Sequence, residues 1–351
     1  ITNYITPNPV FIDGISKSGK LVIDTLVSHM DRMEIISMRY ITDVLLDFVS
    51  IGMLDQKTAL EIIGSQIDMR LWKNYLGRDL NTNKNDISSI YSSRDPDMYL
   101  KRMKRVDNQE TYIEFKEKIK SDDPISPEST DDMFLHNELL LDHFKNLKMI
   151  VLFRHPLQIA HSWQRNGRGE RYLEDDIRMG HHTYNMGDLQ VPEFAIEWAE
   201  EYHNISPVDR VLKSVYMTCQ EYIKSYKAIS EINRKRIFTL TFEDFVSDPE
   251  PYILGIENFL GTKRSSKTKK ILENQRVPRI LSIEEFTAKF LELEKISSSK
   301  YFNLLLKVSR EYESIFNSKE RVDNIKRNLN SEDYSKYLNE PTFINGKAVW
   351  K

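Results

Sequence analysis

Residues 9–21 read PVFIDGISKSGKL, and they set the architecture expected for the rest of the chain. The first four form a short apolar run, as buried parallel strands do. Gly14 and Gly19 follow, and apolar residues then recur at helical spacing from Val22 to Met30. A strand, a glycine-containing loop and a helix in this order predict a phosphate-binding loop. The reason is that glycine lets the backbone approach an anion, while a helix N-terminus offers unpaired N–H groups.

Two further apolar runs have the same character, at residues 148–153 and 236–242. A helical pattern follows each run, from Pro156 in the first case and over residues 249–260 in the second. A weaker strand is expected at residues 34–37. Strands that alternate with helices predict an α/β fold, with a central parallel sheet flanked by helices and joined by right-handed crossovers.

Composition excludes several classes of protein. The chain has 351 residues, is 40% apolar, and carries 50 Lys plus Arg against 53 Asp plus Glu, for a net charge of −3. This balance argues against a dedicated nucleic-acid binder. The single cysteine, Cys219, excludes an internal disulfide framework and a cysteine-rich metal site. No stretch approaches the ~20 apolar residues of a membrane-spanning helix.

We expect one domain over residues 1–351. Within it, residues 81–132 are polar and predict an inserted segment of short helices and loops. Residues 282–351 predict a helical C-terminal extension that begins at a capping box, in which Ser282 caps the helix and Glu285 lies three residues later.

The string from Gly14 to Lys20 nearly matches the P-loop of nucleoside-triphosphate-using proteins. The next residue should carry a hydroxyl that binds Mg²⁺, and here it is Leu21. Leucine cannot bind a metal ion, and nucleoside-triphosphate chemistry depends on Mg²⁺. A Mg-ATP-dependent small-molecule kinase is therefore the second hypothesis.

A second anion-binding element is expected after the run 148–153. Arg154 lies at the end of that predicted strand, Pro156 begins a helix, and Ser162 lies about two turns further on. A guanidinium and a hydroxyl together suit a phosphate group. Open α/β sheets bind ligands at the carboxyl ends of their strands, where both elements are expected.

The sequence here resembles the sulfotransferases that use 3′-phosphoadenosine 5′-phosphosulfate (PAPS). Residues 17–19 resemble the lysine-serine-glycine core of their 5′-phosphosulfate loop. The step from Arg154 through Pro156 to Ser162 resembles their 3′-phosphate element. Residues 242–249, followed by 259–261, resemble their tyrosine-glutamate-aspartate-leucine and phenylalanine-leucine-glycine segments.

The resemblance implies a sulfotransferase that moves a sulfuryl group from PAPS to an acceptor hydroxyl and releases adenosine 3′,5′-bisphosphate. Lys17 would stabilise the leaving oxygen. The loop from Ser16 through Lys17, Ser18, Gly19 and Lys20 to Leu21 would hold the 5′-phosphate, and Arg154 with Ser162 would hold the 3′-phosphate. No metal ion is required.

The sequence also departs from the family pattern. Lys20 and Leu21 stand where two hydroxyl residues are usual, and we expect the charge of Lys20 to replace the missing hydroxyl. No carboxylate lies where glycan sulfotransferases carry a catalytic Glu. His136 is the expected catalytic base, and Glu34, Asp43 and Glu138 are alternatives.

The acceptor is expected to be a sugar or glycan rather than a phenol, and the oligomeric state is left open. A sulfotransferase-fold binding protein without activity is a third hypothesis. The adjacent His181 and His182 supply too few ligands for a metal ion and are expected at the surface or near the acceptor. The single cysteine favours the cytoplasm, and the alternative is the lumenal domain of a trimmed Golgi protein.

Overall fold

The computed structural model describes residues 4–38, 41–105, 109–171, 183–316, 341–344 and 347–350. Its regular elements, in chain order, are β1 (Asn8–Asp13), α1 (Lys20–Val27), α2 (Ile41–Ser50), α3 (Gln56–Leu76), α4 (Pro96–Met103), α5 (Gln109–Asp122), β2 (Ile125–Ser129), α6 (Asn137–His143), β3 (Lys148–Phe153), α7 (Pro156–Arg165), α8 (Arg168–Arg171), β4 (Thr183–Met186), β5 (Leu189–Pro192), α9 (Ala199–Asn204), α10 (Pro207–Ala228), α11 (Glu231–Arg234), β6 (Ile237–Thr241), α12 (Phe242–Ser247), α13 (Pro249–Leu260), α14 (Thr268–Asn274), α15 (Ile283–Ile296), α16 (Ser299–Phe316), β7 (Pro341–Ile344) and β8 (Lys347–Trp350). Short 3₁₀ helices span Ile90–Ser92, Met133–His136 and Glu193–Trp198.

The chain groups into two compact units. The first consists of Ile1–Phe153 with Ala228–Arg279, and the second of Arg154–Lys227 with Ile280–Lys351. The C-terminal stretch is therefore part of a unit that also contains residues from the middle of the chain. Its first half is helical as predicted, as α15 and α16. The chain continues after these helices into β7 and β8, which form an antiparallel hairpin.

A four-stranded sheet organises the first unit. Its strand order is β2-β1-β3-β6, and all neighbouring strands are parallel, which confirms the predicted sheet. The chain runs from β1 to β2 on one side of β1, and then to β3 on the other side. Strand order thus reverses at β1, and parallel sheets bind ligands beyond the carboxyl ends of strands at such a point.

The core of the first unit lies between this sheet and helices α1, α12 and α13. Each of these helices turns an apolar face towards the strands. The cluster includes the following fully buried side chains: Val10, Ile12, Ile23, Leu26, Ile150, Leu152, Leu240, Val246, Ile253 and Ile256. Burial at this density holds the strand ends, and hence the loops that follow them, in fixed positions.

Strand β2 was not expected, because it lies within the stretch predicted as an insertion. Its sequence is ISPES, and all five residues are buried. Pro127 has no N–H to donate to a neighbouring strand, and the polar residues on either side of it leave no apolar run that would predict a strand. Side chains of the unit satisfy these buried groups: Thr42 donates to Glu128 at 3.0 Å, and Ser129 donates to Asp24 at 2.9 Å.

The weak strand predicted at residues 34–37 is instead an extended segment held by two isolated bridges. It lies along β2, with Met33 paired to Ile125 and Ser37 to Glu128. Between the bridges, the backbone N–H and carbonyl oxygen of Ile35 form hydrogen bonds with side chains rather than with β2. The hydroxyl of Tyr99 accepts its N–H at 2.9 Å, and Arg70 donates to its carbonyl oxygen. The ladder is thereby interrupted.

The described part of the second unit consists of helices and two antiparallel hairpins, β4–β5 and β7–β8. β4 and β5 pair antiparallel, and β5 packs with α9 around an aromatic cluster that includes Trp198 and Tyr202. Over the described ranges of the whole chain, no helix is both long and apolar enough to cross a membrane.

Candidate active site

The loop between β1 and α1 requires glycine at two positions. Gly14 has φ +152°, and a Cβ there would overlap the carbonyl oxygen of Leu152 and lie 2.9 Å from Ser18 Oγ. Gly19 has φ +98°, and a Cβ there would overlap the ring of Phe242. Glycine adopts such angles without a Cβ penalty. The backbone of this loop therefore fits closely against β3 and the start of α12.

The loop also presents hydrogen-bond donors. Ser18 is 1% exposed, and its Oγ has no hydrogen-bond partner among the described residues. Gly19 caps α1 and supplies no side-chain hydrogen bond to the first turn. A buried polar group without a partner costs about 1–3 kcal/mol. The exposed Lys17 has a left-handed backbone, with φ +71°. This combination suits a bound anion.

Lys20 differs from its predicted role. Its ammonium donates to the carbonyl oxygen of Thr130 and forms an ion pair with Asp131. Burial opposes the charge, but attraction to Asp131 and Asp13 outweighs burial and raises the pKa of Lys20. The side-chain charge is thus committed to Asp131, and the prediction that it replaces a phosphate-binding hydroxyl is not supported. Its backbone N–H remains in the first turn of α1.

Carboxyl groups surround this ion pair. Asp13, at the end of β1, is fully buried and accepts the hydroxyl of Thr130 at 2.6 Å. Asp43 accepts the backbone N–H of Asp131 at 3.4 Å, and its second oxygen is buried with no hydrogen-bond partner among the described residues. Burial, reinforced by the charges of Asp131 and Asp13, raises the pKa of Asp43 well above its ordinary value. Asp43 therefore tends to hold a proton.

Asp24 lies on the buried face of α1. One of its oxygens accepts the hydroxyl of Ser129, and the other has no hydrogen-bond partner in the described structure. Burial raises the pKa of Asp24 to about 7, although the nearby Lys20 opposes this shift. No sequence pattern singles out Asp24, since its position at helical spacing looks like that of an ordinary surface carboxylate.

His136 ends the 3₁₀ helix that follows β2. It is half-buried, and burial lowers the pKa of its imidazole below the ordinary value. The neutral ring is the form that accepts a proton. The structure thus makes His136 chemically suited to the predicted role of base.

The two glutamates offered as alternatives have structural partners. Both oxygens of Glu34 bind Arg102, at 2.9 and 3.1 Å, and Oε2 also accepts the hydroxyl of Tyr99. Glu138 accepts the backbone N–H of Ser230 and the side-chain amide of Asn233, each at 2.8 Å. These contacts argue against Glu34 and Glu138 as the base, and leave His136 and Asp43.

Arg279 belongs to the surroundings of the loop, through Phe242. Its guanidinium carbon lies 5.2 Å from the centroid of the Phe242 ring, against which Gly19 packs. Its backbone N–H donates to Val246 at 2.7 Å and fixes the segment. The positive charge of Arg279 therefore lies beside the ring of Phe242, and Gly19 of the loop packs against the same ring.

In the second unit, Arg154 and Ser162 lie on one helical element. Arg154 is half-buried directly before α7, and His155 caps the helix by accepting the N–H of Leu157 at 3.2 Å. Pro156 occupies the first turn, as predicted. Ser162 lies roughly 9 Å further along the helix axis.

Some predicted features lie elsewhere. His181 and His182 fall outside the described residues. Leu21 is 53% exposed in the first turn of α1, so an apolar side chain stands where a P-loop enzyme has its metal-binding hydroxyl. Within the ranges that the structure describes, no group of three or more His, Cys, Asp or Glu is arranged to hold a metal ion.

Comparison with known proteins now decides the family. The family model described as a sulfotransferase domain matches residues 7–336 of this chain. The chain belongs to the sulfotransferase family. No curated protein matches its sequence.

Solved structures resemble this sulfotransferase at low sequence identity. The sulfotransferase domain of the Synechococcus PCC 7002 olefin synthase is 12% identical, with 89% of this chain and 96% of that one covered and a TM-score of 0.41. A sulfotransferase from Alicyclobacillus acidocaldarius is 16% identical, with 86% and 99% covered and a TM-score of 0.34. The sulfotransferase domain from the curacin biosynthetic pathway is 11% identical, with 78% and 81% covered and a TM-score of 0.38.

The loop between β1 and α1 of this sulfotransferase has the chemistry to hold one phosphate of the nucleotide that the family generally uses. The Ser18 hydroxyl has no hydrogen-bond partner among the described residues, the start of α1 has no side-chain cap, and Gly14 and Gly19 leave no room for a Cβ. Together these features suit a phosphate. The exposed Leu21 is consistent with an anion bound without Mg²⁺, since a sulfuryl group bears less charge than a γ-phosphate.

Proposed function

We propose that this sulfotransferase moves a sulfuryl group from PAPS to a hydroxyl of a sugar or glycan by in-line displacement. The observation that carries this proposal is the loop between β1 and α1 at the reversal point of the sheet, where the buried Oγ of Ser18 has no hydrogen-bond partner among the described residues. The family membership supports the reaction class.

In this proposal the donor, when bound, supplies the sulfuryl group and an adenosine 3′,5′-bisphosphate leaving group. The backbone N–H groups of Gly19, Lys20 and Leu21 hold the 5′-phosphate, together with Ser16 and the hydroxyl of Ser18, whose own N–H donates to the carbonyl oxygen of Ile15. Lys17 places a positive charge at the oxygen that leaves, where negative charge develops in the transition state. Arg154 and Ser162 hold the 3′-phosphate.

The acceptor proton needs a base. We assign this role to His136, since burial keeps its ring neutral and ready to accept a proton. Carboxyl groups such as those of Asp43 and Asp131 accept hydrogen bonds from hydroxyl groups. An acceptor with several hydroxyls, such as a sugar, can donate hydrogen bonds to more of these carboxyl groups than a phenol can.

A thermal-shift experiment tests the donor. Adenosine 3′,5′-bisphosphate should raise the melting temperature in the presence of a chelator, because no metal is needed. ATP should give a large shift only with Mg²⁺ if the chain is a kinase. The proposal fails if ATP with Mg²⁺ stabilises the protein and the bisphosphate does not.

The base can be tested by the pH dependence of turnover. We expect His136→Gln to lower kcat by about 10²–10⁴-fold and to remove the fall in rate on the acid side. Asp43→Asn is the matched comparison, since it changes a carboxyl group of the same unit. If Asp43→Asn loses the fall in rate on the acid side while His136→Gln keeps it, Asp43 rather than His136 is the base.

A further inference from the structure

His155 forms a buried hydrogen-bonded pair with Glu313 of α16. His155 is 4% exposed and Glu313 is fully buried, and His155 Nε2 lies 3.0 Å from Glu313 Oε1. The ring is enclosed edge-on by Phe286 and Tyr312, whose centroids lie 5.0 and 5.5 Å from its own. An imidazole held on every side in this way has little rotational freedom.

The hydrogen bonds fix which ring nitrogen carries the proton. Nδ1 accepts the N–H of Leu157, so the proton of the neutral ring is on Nε2, and Nε2 donates it to Glu313. Glu313 thereby orients the ring so that Nδ1 faces the first turn of α7. Ring orientation through the second nitrogen is the same principle by which carboxylates orient metal-binding histidines.

Two more contacts join α7 to α15. His161 lies 3.0 Å from Glu292, and Lys289 donates to Gln158 at 3.0 Å. Helices from the end of the chain thus hold α7 along its length. The hydrogen bond with Glu313 is made by the cap residue His155 itself, which lies between Arg154 and Pro156.

We propose that Glu313 is a positioning residue for the 3′-phosphate: it sets the start of α7, and hence Arg154, through His155. This inference rests on the proposed function, because it assumes that Arg154 binds the 3′-phosphate. It assigns a role to a helix that the sequence resemblance does not explain.

The test measures the affinities of two nucleotides by calorimetry. Adenosine 3′,5′-bisphosphate carries the 3′-phosphate, and adenosine 5′-phosphosulfate lacks it. We expect Glu313→Ala to weaken binding of the bisphosphate by roughly tenfold, the low end of what removing an orienting partner costs. Binding of the phosphosulfate should change less than about twofold. Glu313→Gln should remain near wild type, because its amide oxygen accepts the same proton from Nε2.

Glu311→Ala is the matched control. Glu311 lies on the same helix and binds Gln220 and Lys227 rather than His155. It should leave the ratio of the two affinities unchanged. If Glu313→Ala does not fold, Glu313→Met removes the acceptor while filling the volume. Failure of both variants to fold would show a purely structural pair and overturn the proposal.

Arg154→Ala distinguishes a failure of the Arg154 assignment from a failure of the role of Glu313. If it weakens both nucleotides equally, the assignment of Arg154 in the proposed function fails. If it weakens the bisphosphate alone while Glu313→Ala changes neither affinity, or both by the same factor, only the role of Glu313 is refuted.

Discussion

The loop before α1 and the turn before α7 share a plan but are built differently. Each follows a parallel strand in the chain and precedes a helix. The first is formed mainly by backbone, with two glycines and an uncapped helix start, and one buried side-chain hydroxyl, that of Ser18, is added to them. The second is formed by side chains, with His155 capping the helix and Glu313 holding the cap from 158 residues further along the chain.

This difference predicts how each element tolerates change. A loop whose shape depends on the absence of Cβ atoms is damaged when a substitution of either glycine adds one. A turn whose shape depends on a buried hydrogen bond is damaged by changes in a distant helix. The following predictions are ordered by the size of the expected effect.

Within this comparison of the two elements, the largest effect is expected from Lys17→Ala. Loss of the charge at the leaving oxygen should lower kcat by about 10²–10³-fold, as removal of one stabilising donor does. Affinity for adenosine 3′,5′-bisphosphate, measured by calorimetry, should change far less, because backbone groups hold the 5′-phosphate. Near-normal turnover in this variant would remove Lys17 from the mechanism.

Arg154→Ala should have the next largest effect. Hydrogen bonds to charged groups contribute about 1.5–3 kcal/mol, so affinity for the bisphosphate should fall about 10- to 100-fold. Adenosine 5′-phosphosulfate should bind almost as well as before. Calorimetric titration of both nucleotides measures this difference, and an equal fall in both affinities would refute the assignment of Arg154 to the 3′-phosphate.

Gly19→Ala should lower stability through a clash with Phe242 as well as through backbone strain. Gly52→Ala is the matched control, because Gly52 has φ +74° and nothing lies within 4 Å of an added Cβ. We expect a loss of about 1 kcal/mol in Gly52→Ala and about 1–3 kcal/mol more in Gly19→Ala. Urea denaturation measures both, and equal losses would show that the ring of Phe242 moves aside.

The smallest effect is expected from Asp24→Asn, and it depends on pH. The pKa of Asp24 is raised from 3.8 to about 7, so the folded state favours the protonated form. This contribution to stability is complete below the unfolded pKa and is lost as the pH rises towards and past 7. Asn mimics the protonated group and still accepts the Ser129 hydroxyl. The variant should therefore be about 1–3 kcal/mol more stable than wild type at pH 8, with a smaller difference at pH 5.

Denaturant titrations at both pH values provide the measurement. A difference that is the same at pH 5 and pH 8 would mean that Asp24 is charged in the folded protein. A destabilised variant at pH 8 would mean that Lys20 needs the charge of Asp24.

Much of the candidate site was predictable from sequence. Residues 9–21 predict β1, the phosphate loop and the start of α1. Residues 148–156 predict β3 and the first turn of α7. The roles of Lys17, Arg154 and Ser162 at a nucleotide stay predictions. Local signals suffice for these elements because glycine, proline and apolar spacing act within a few residues.

Only the tertiary structure decided which hydrogen-bond and ion-pair partners the polar groups have. ISPES is a strand because Asp24 and Thr42 satisfy its buried side chains. Packing within the first unit also commits Lys20 to Asp131, and packing within the second unit places Glu313 against His155. A sequence shows which residues favour burial or a turn, but a hydrogen bond between residues far apart exists only after the chain has folded, because its geometry depends on every element that packs around it.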